Sequence, residues 1–203
     1  MMGITPSSGG GTEIPTPTAQ YLFENDATDE GSSYNMTATA GFSYDASNYV
    51  EGSYAGLFDT DDYVYHADNA AFEPGSGDWS MSAIIRVGWN APTRAIFGKV
   101  EWTTGRNGFE LIFDHDDADD LKLIVHTAGS ATVTIDTGWT PTLETFYLVQ
   151  VAVDADAENE CTIWVSSIGG TFGDAINGTQ YNLDVPIPES GGNFCIGASA
   201  RAL

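Results

Sequence analysis

The sequence predicts an all-β fold, an antiparallel β-sandwich or jelly roll. Apolar residues alternate with a period of two: Trp79, Met81, Ala83, Ile85 and Val87 share one face of a run whose other face carries Ser80, Ser82 and Arg86. Short runs of this kind recur with Gly, Pro, Asn and Asp between them, and no segment sustains a helical period. With 203 residues, 42% of them hydrophobic, the chain is long enough to bury one sandwich-sized core.

Residues 1–19 are rich in Gly, Ser, Thr and Pro and read as an N-terminal arm or linker, leaving 20–203 as the domain. Residues 21–23 are a short first strand, followed by the polar turn ENDATDEGSS. Residues 34–50 set Tyr34, Phe42, Tyr44 and Tyr49 among Ala, Thr and Gly, a pattern of irregular strand and loop. An acidic turn leads to a strand over 63–65, then a loop, then the long strand that opens at Trp79. GWNAPTRA is a loop, 96–99 a strand and WTTGRNG a turn. In FELIFD the residues Phe109, Leu111 and Phe113 share a face, as do Leu121, Leu123 and Val125 in LKLIVH; HDDADD joins them into a hairpin with an acidic tip. A Thr/Val/Ile-rich strand spans 132–137. Residues 146–153 and 161–167 form another hairpin around DADAEN, and NFCIGAS supplies the final strand.

The order of these segments resembles the laminin-G-like, concanavalin A-like lectin-glucanase jelly roll, found in phage and bacterial surface proteins. Residues 54–87 follow its G-x-A-x-x-F-D-G, D-Y-V and F-T-I-S-A-W-V run. Residues 96–99 match its I-L-x-K, 146–153 its W-x-H-V-A-V-V-Y-D and 194–197 its L-x-I-G, so that the resemblance spans about 20–200. It implies a concanavalin A-like jelly roll. Members usually continue to one more strand, of the form G-x-I-D-E-V-R-I-Y, inside a sheet; here the chain ends at Leu203. The resemblance therefore leads us to expect a sheet closed differently, or a slot filled by another segment, with the N-terminal arm, in cis or from a neighbouring subunit, as donor.

Charge narrows the partners. Against 29 Asp and Glu stand 6 Lys and Arg, a formal net charge of −23. Such a surface repels nucleic acid and anionic membranes, and it stays soluble where salt screens self-repulsion. No apolar run approaches the roughly 20 residues of a membrane helix, so membrane insertion is not expected. The N-terminus has neither a basic n-region nor an apolar h-region, which reads as no secretory signal. Cys161 and Cys195 make no disulfide framework and are expected as buried thiols or a single bridge.

Three kinds of site can be weighed. A glycosidase needs two carboxylates on one strand face; Glu24 and Asp26 approach the spacing, but no apolar residues between them make a buried strand. The histidines are scattered, with no serine-nucleophile or zinc motif around them, and His115 and His126 are expected in solvent. Calcium needs converging oxygens, and Asp114, Asp116, Asp117 and Asp119 offer them at one hairpin tip, unless the tip is simply a solvated acidic turn. Sugar binding needs stacking aromatics and planar polar groups: Trp89, Trp102 and Arg106 lie in loops and are the candidates. Arg86, Arg94 and Lys99 fall in the same region and suggest capture of an acidic polysaccharide, or else local pairing. Together these observations predict a non-catalytic virion-surface module (decoration, fibre or tail), anchored through its arm to other subunits of an oligomeric assembly. A secreted lectin-like, calcium-dependent adhesion module that binds cell-surface or polysaccharide glycans is the alternative, and a glycoside hydrolase the third reading.

Overall fold

The computed structural model describes residues 2–6, 17–59, 62–74, 77–88, 94–101, 107–114, 120–127, 132–154, 160–183 and 187–197. The strands are, in chain order, β1 (Met2–Pro6), β2 (Gln20–Tyr21), β3 (Thr37–Ala38), β4 (Ser43–Asp45), β5 (Ala55–Leu57) and β6 (Val64–His66). After a 3-10 turn at Ala70–Phe72 come β7 (Trp79–Arg86), β8 (Arg94–Glu101), β9 (Asn107–Asp114), β10 (Asp120–His126) and β11 (Thr132–Asp136). The series closes with β12 (Phe146–Asp154), β13 (Glu160–Ser167), β14 (Ile176–Asn182) and β15 (Phe194–Ile196). A six-stranded sheet runs β14-β13-β12-β7-β1-β2, a seven-stranded sheet runs β11-β10-β9-β8-β15-β6-β3, and β4 pairs with β5 in a small hairpin.

The register follows from the alternation. Leu121, Leu123 and Val125 stand opposite Phe113, Leu111 and Phe109, so that the apolar sets of β9 and β10 share one face. Trp79, Met81 and Ala83 of β7 lie opposite Val153, Val151 and Val149 of β12 and face the same core. The two sheets meet over these residues, with the rings of Trp79 and Phe109 5.3 Å apart. Trp164 stands on the other face of the first sheet, over Gly178. At φ +61°, a Cβ on Gly178 would sit 2.6 Å from the indole nitrogen, so only glycine suits that position.

Two strands escape a reading by composition. Met2–Pro6, placed within an arm by its sequence, is an interior strand of the first sheet: it pairs with Trp79–Ala83 on one side and Gln20–Tyr21 on the other. β14 contains Asn177-Gly178, which on sequence punctuates rather than extends a strand, and its face is mostly exposed. β15 is flanked on both sides, by β8 and β6, leaving no open slot beside Phe194 and Ile196.

Burial corrects two expectations. His126 is not solvated: it is 3% exposed, with Nε2 3.1 Å from Oε1 of the fully buried Glu110. Both lie on the outer face of the second sheet, where Ala95, Ile112 and Ile124 form a second apolar cluster, so this face does not follow the polar-out rule of a one-sided sheet. Lys99 is also buried. It stands in register with Phe109 and points into the sandwich, where Nζ donates to Asp68 Oδ1 (2.5 Å), Glu73 Oε1 (2.7 Å) and the Ser190 carbonyl (2.5 Å). Cys161 and Cys195 are free thiols in different sheets, each pushed up to about 12 by burial.

Candidate functional site

The register fixes two ends of the sandwich. Arg86 stands opposite Phe146, and Arg94 opposite Phe113, at one end; Trp79 opposite Val153, and Glu101 opposite Asn107, lie toward the other. At the first end the sheets part around a cleft of about 540 Å³. Its floor is Ile85, Arg86 and Phe146 from one sheet and Ile96 and Phe113 from the other, and its side wall is the segment from Asp45 to Phe58.

That wall is held by hydrogen bonds and rings. The Glu24 carboxylate accepts from the backbone N–H groups of Ser53 (2.9 Å) and Tyr54 (3.4 Å), which pins the turn between β4 and β5. The Asp45 carboxylate accepts from Asn48 Nδ2 (2.7 Å) and from the N–H groups of Ser47 (2.7 Å) and Asn48 (3.2 Å). Those donors, the Asn48 side chain first and the Arg86 charge last, hold the Asp45 carboxyl below its ordinary range and therefore ionised at neutral pH. Behind the wall Phe58 packs on Phe23 and Phe42 at 5.8 and 4.9 Å. Gly197, at φ +95°, leaves the room that Phe58 occupies.

Arg86 supplies the cationic group on the floor. Its guanidinium pairs with the Glu144 carboxylate and lies over the Phe146 ring, with Cζ 5.8 Å from the centroid. The rim is apolar and exposed: Tyr49, Val50, Leu57 and Leu143 are each 40–46% accessible. Ile168 and Phe172, the latter 59% accessible, project from the β13–β14 turn at this same end. Those six are all the large apolar side chains that stay exposed among the described residues, and all lie at one end. Exposed apolar surface gathered in one place marks a binding site more often than scattered residues do. An apolar cleft edged by a few fixed polar groups suits a ligand with one hydrophobic face and several hydroxyls.

The residues singled out in the sequence stand differently. Trp89, Trp102 and Arg106 lie outside the described residues, as do Asp116, Asp117 and Asp119. Asp114 is described by its backbone only, as the last residue of β9, opposite Asp120. The residues that bracket Trp89 (Arg86 and Arg94) and those that bracket Trp102 and Arg106 (Glu101 and Asn107) lie at opposite ends of the sandwich. Calcium at the 114–120 tip rests on sequence alone; among the described residues no group of three or more His, Cys, Asp or Glu is arranged to hold a metal. Glu24 holds the 51–54 turn and Asp26 accepts from the Thr28 hydroxyl (2.7 Å), so both serve turns. The cleft itself went unread. Its one sequence signal is Tyr49-Val50, an aromatic and an aliphatic residue side by side in a Ser-, Asp- and Gly-rich loop with no strand alternation around them.

No protein-family model matches this chain, and no curated protein matches it. Solved structures do resemble it. Domain 4 of the extracellular arabinanase AbnA from Geobacillus stearothermophilus, in complex with arabinotriose, superposes with a TM-score of 0.64 at 14% identity, over 90% of this chain and 83% of that one. The endo-β-1,4-glucuronan lyase of the fungus Trichoderma reesei gives 0.54 at 12% identity, over 96% and 82%. The binding domain of Paraclostridial Mosquitocidal Protein 1 gives 0.55 at 11% identity, over 98% of this chain but 45% of that one. At these identities the likeness establishes the fold alone, an antiparallel β-sandwich that an arabinanase domain, a toxin binding domain and a lyase share.

Proposed function

We propose that the chain is a non-catalytic glycan-binding module of the laminin-G-like, concanavalin A-like kind, which works outside cells on a virion surface or as part of a secreted surface protein. The observation that carries this reading is the cleft: Tyr49, Leu57 and Leu143 are left exposed beside Arg86 and Asp45, whose positions are fixed by hydrogen bonds and an ion pair. Sugar rings stack their apolar faces on such surfaces and satisfy their hydroxyls with such polar groups. The fold shared with a domain in complex with arabinotriose supports the reading, as does an acidic surface suited to saline surroundings. In this proposal other subunits of an assembly are met through surfaces other than Met2–Pro6, which pair inside the chain's own sheet. Calcium at the acidic tip is a separate proposal, tested by whether EGTA lowers the melting temperature. Glycan-array screening of the full chain, followed by calorimetry with Tyr49→Ala and Leu143→Ala, tests the main one. Each substitution is expected to weaken binding about tenfold, the equivalent of about 1.4 kcal/mol, while the melting temperature stays within about 2 °C. Array-wide silence of the wild-type chain would refute the proposal.

A further inference from the structure

Resting on the glycan-binding reading of the open end, we infer that the cleft selects against anionic glycans and takes uncharged chains. The charges around it decide this. Among the described residues three carboxylates line the cleft, Glu24, Asp45 and Glu51, against one guanidinium, Arg86. Arg86 is already matched by Glu144, so it offers an incoming uronate or sulfate no spare charge. Glu24 accepts from the N–H groups of Ser53 and Tyr54 across the wall, and Asp45 from the Ser47 N–H and the Asn48 side chain in its own turn, so neither side chain swings away to admit an anion. Glu51 is exposed on the loop beside them.

Among the described residues the other cations do not compensate. Of the six Lys and Arg, the side chains of Arg86, Lys99 and Lys122 are described, and each faces a carboxylate: Lys99 meets Asp68 and Glu73 between the sheets, and Lys122 Nζ lies 3.5 Å from Asp136. Of the two readings that the sequence left for its basic residues, capture of an acidic polysaccharide or local pairing, Arg86 and Lys99 follow local pairing: one is matched at the surface and the other inside the core. Over longer range the net charge of −23 adds repulsion of any polyanion. An uncharged chain feels none of this. It is held through ring faces on Tyr49, Leu57 and Leu143 and through hydroxyls donating to Asp45.

The test sets neutral polymers (linear arabinan, xylan and β-1,3-glucan) beside acidic ones (polygalacturonate and alginate) in affinity electrophoresis and calorimetry with the full chain. Measurements are made at about 10 mM and about 1 M NaCl, where the screening lengths are about 30 and 3 Å. The expected result is binding of at least one neutral polymer, with an affinity that changes less than about twofold between the two salts, and no binding of the acidic polymers at low salt. Glu51→Lys reverses one rim charge and is expected to raise the affinity for polygalacturonate about tenfold. Retention of an acidic polymer at low salt, released at high salt, would overturn the inference while leaving the glycan-binding reading intact. So would a Glu51→Lys variant as indifferent to polygalacturonate as the wild type. If neither class binds, the glycan-binding reading itself falls, and the inference with it.

Discussion

At one end of the sandwich Lys99 reaches between the sheets to Asp68, Glu73 and Ser190; at the other Arg86 stays at the surface with Glu144. At the first end Phe72 and Phe194 stack 4.6 Å apart within 2° of parallel, both sealed from solvent. At the second, Phe172, Leu57 and Tyr49 stand in water. Both ends of a sandwich must cover the same core, so the difference is not imposed by the architecture. Among the described residues the first end is sealed by a buried cation and a pair of stacked rings. Leaving the other end open then reads as a binding surface whose exposed apolar area costs some stability and solubility.

Paired substitutions break or sharpen that contrast. The largest effect is expected from Lys99→Ala, which strands carboxylates around a vacated buried site: about 3–5 kcal/mol of stability and a melting temperature lowered by about 10 °C or more. Its counterpart Arg86→Ala removes a partly exposed pair and is expected to cost about 1 kcal/mol or less. Thermal melts showing equal losses would erase the distinction between the ends.

The next pair compares rings. Phe72→Ala opens a cavity in a sealed layer and is expected to cost about 3–5 kcal/mol, whereas Phe172→Ala should stay within about 0.5 kcal/mol. Urea titration measures both, and a substantial loss for Phe172→Ala would show that the open end is built for stability after all.

The smallest effect is expected in acid. Asp29 lies buried behind β2: burial raises its pKa, but the N–H groups of Gln20 (2.8 Å), Gly31, Ser33 and Tyr34 outweigh that and lower it. A depressed carboxyl contributes stability that is present above its unfolded pKa, about 3.9, and disappears as pH falls through the folded value. The stability gap between wild type and Asp29→Asn should therefore be full near neutrality and shrink below about pH 4. Chemical denaturation across that range would contradict the assignment if the gap stayed constant.

How much of this was legible depends on whether a feature is local. The strands β7, β9, β10, β12 and β13 follow from alternation within each segment, and their register from matching apolar sets. β1 was invisible, because five residues containing Gly3 and Pro6 carry no periodic signal; only the slot between β2 and β7 makes them a strand. Lys99 is buried on the inner face by partners from distant segments, Asp68, Glu73 and Ser190, which its own stretch of chain does not announce. The burial of His126 was misjudged for a related reason. Alternation says which face a residue joins but not whether that face is covered, and Ile112 and Ile124 show that the outer face of the second sheet is. The cleft is assembled from segments as distant as Tyr49, Arg86 and Leu143, none of which is unusual in its own stretch of chain.

The most direct test of the open end is amide chemical-shift mapping of the isotope-labelled chain titrated with a neutral oligosaccharide. The account predicts perturbations confined to residues 22–24, 45–58, 83–88, 95–96, 113, 140–146 and 196–197, which converge on the cleft. Shifts centred instead on residues 66–73 and 187–194, around Lys99 and the Phe72–Phe194 stack, would place binding at the closed end and contradict it.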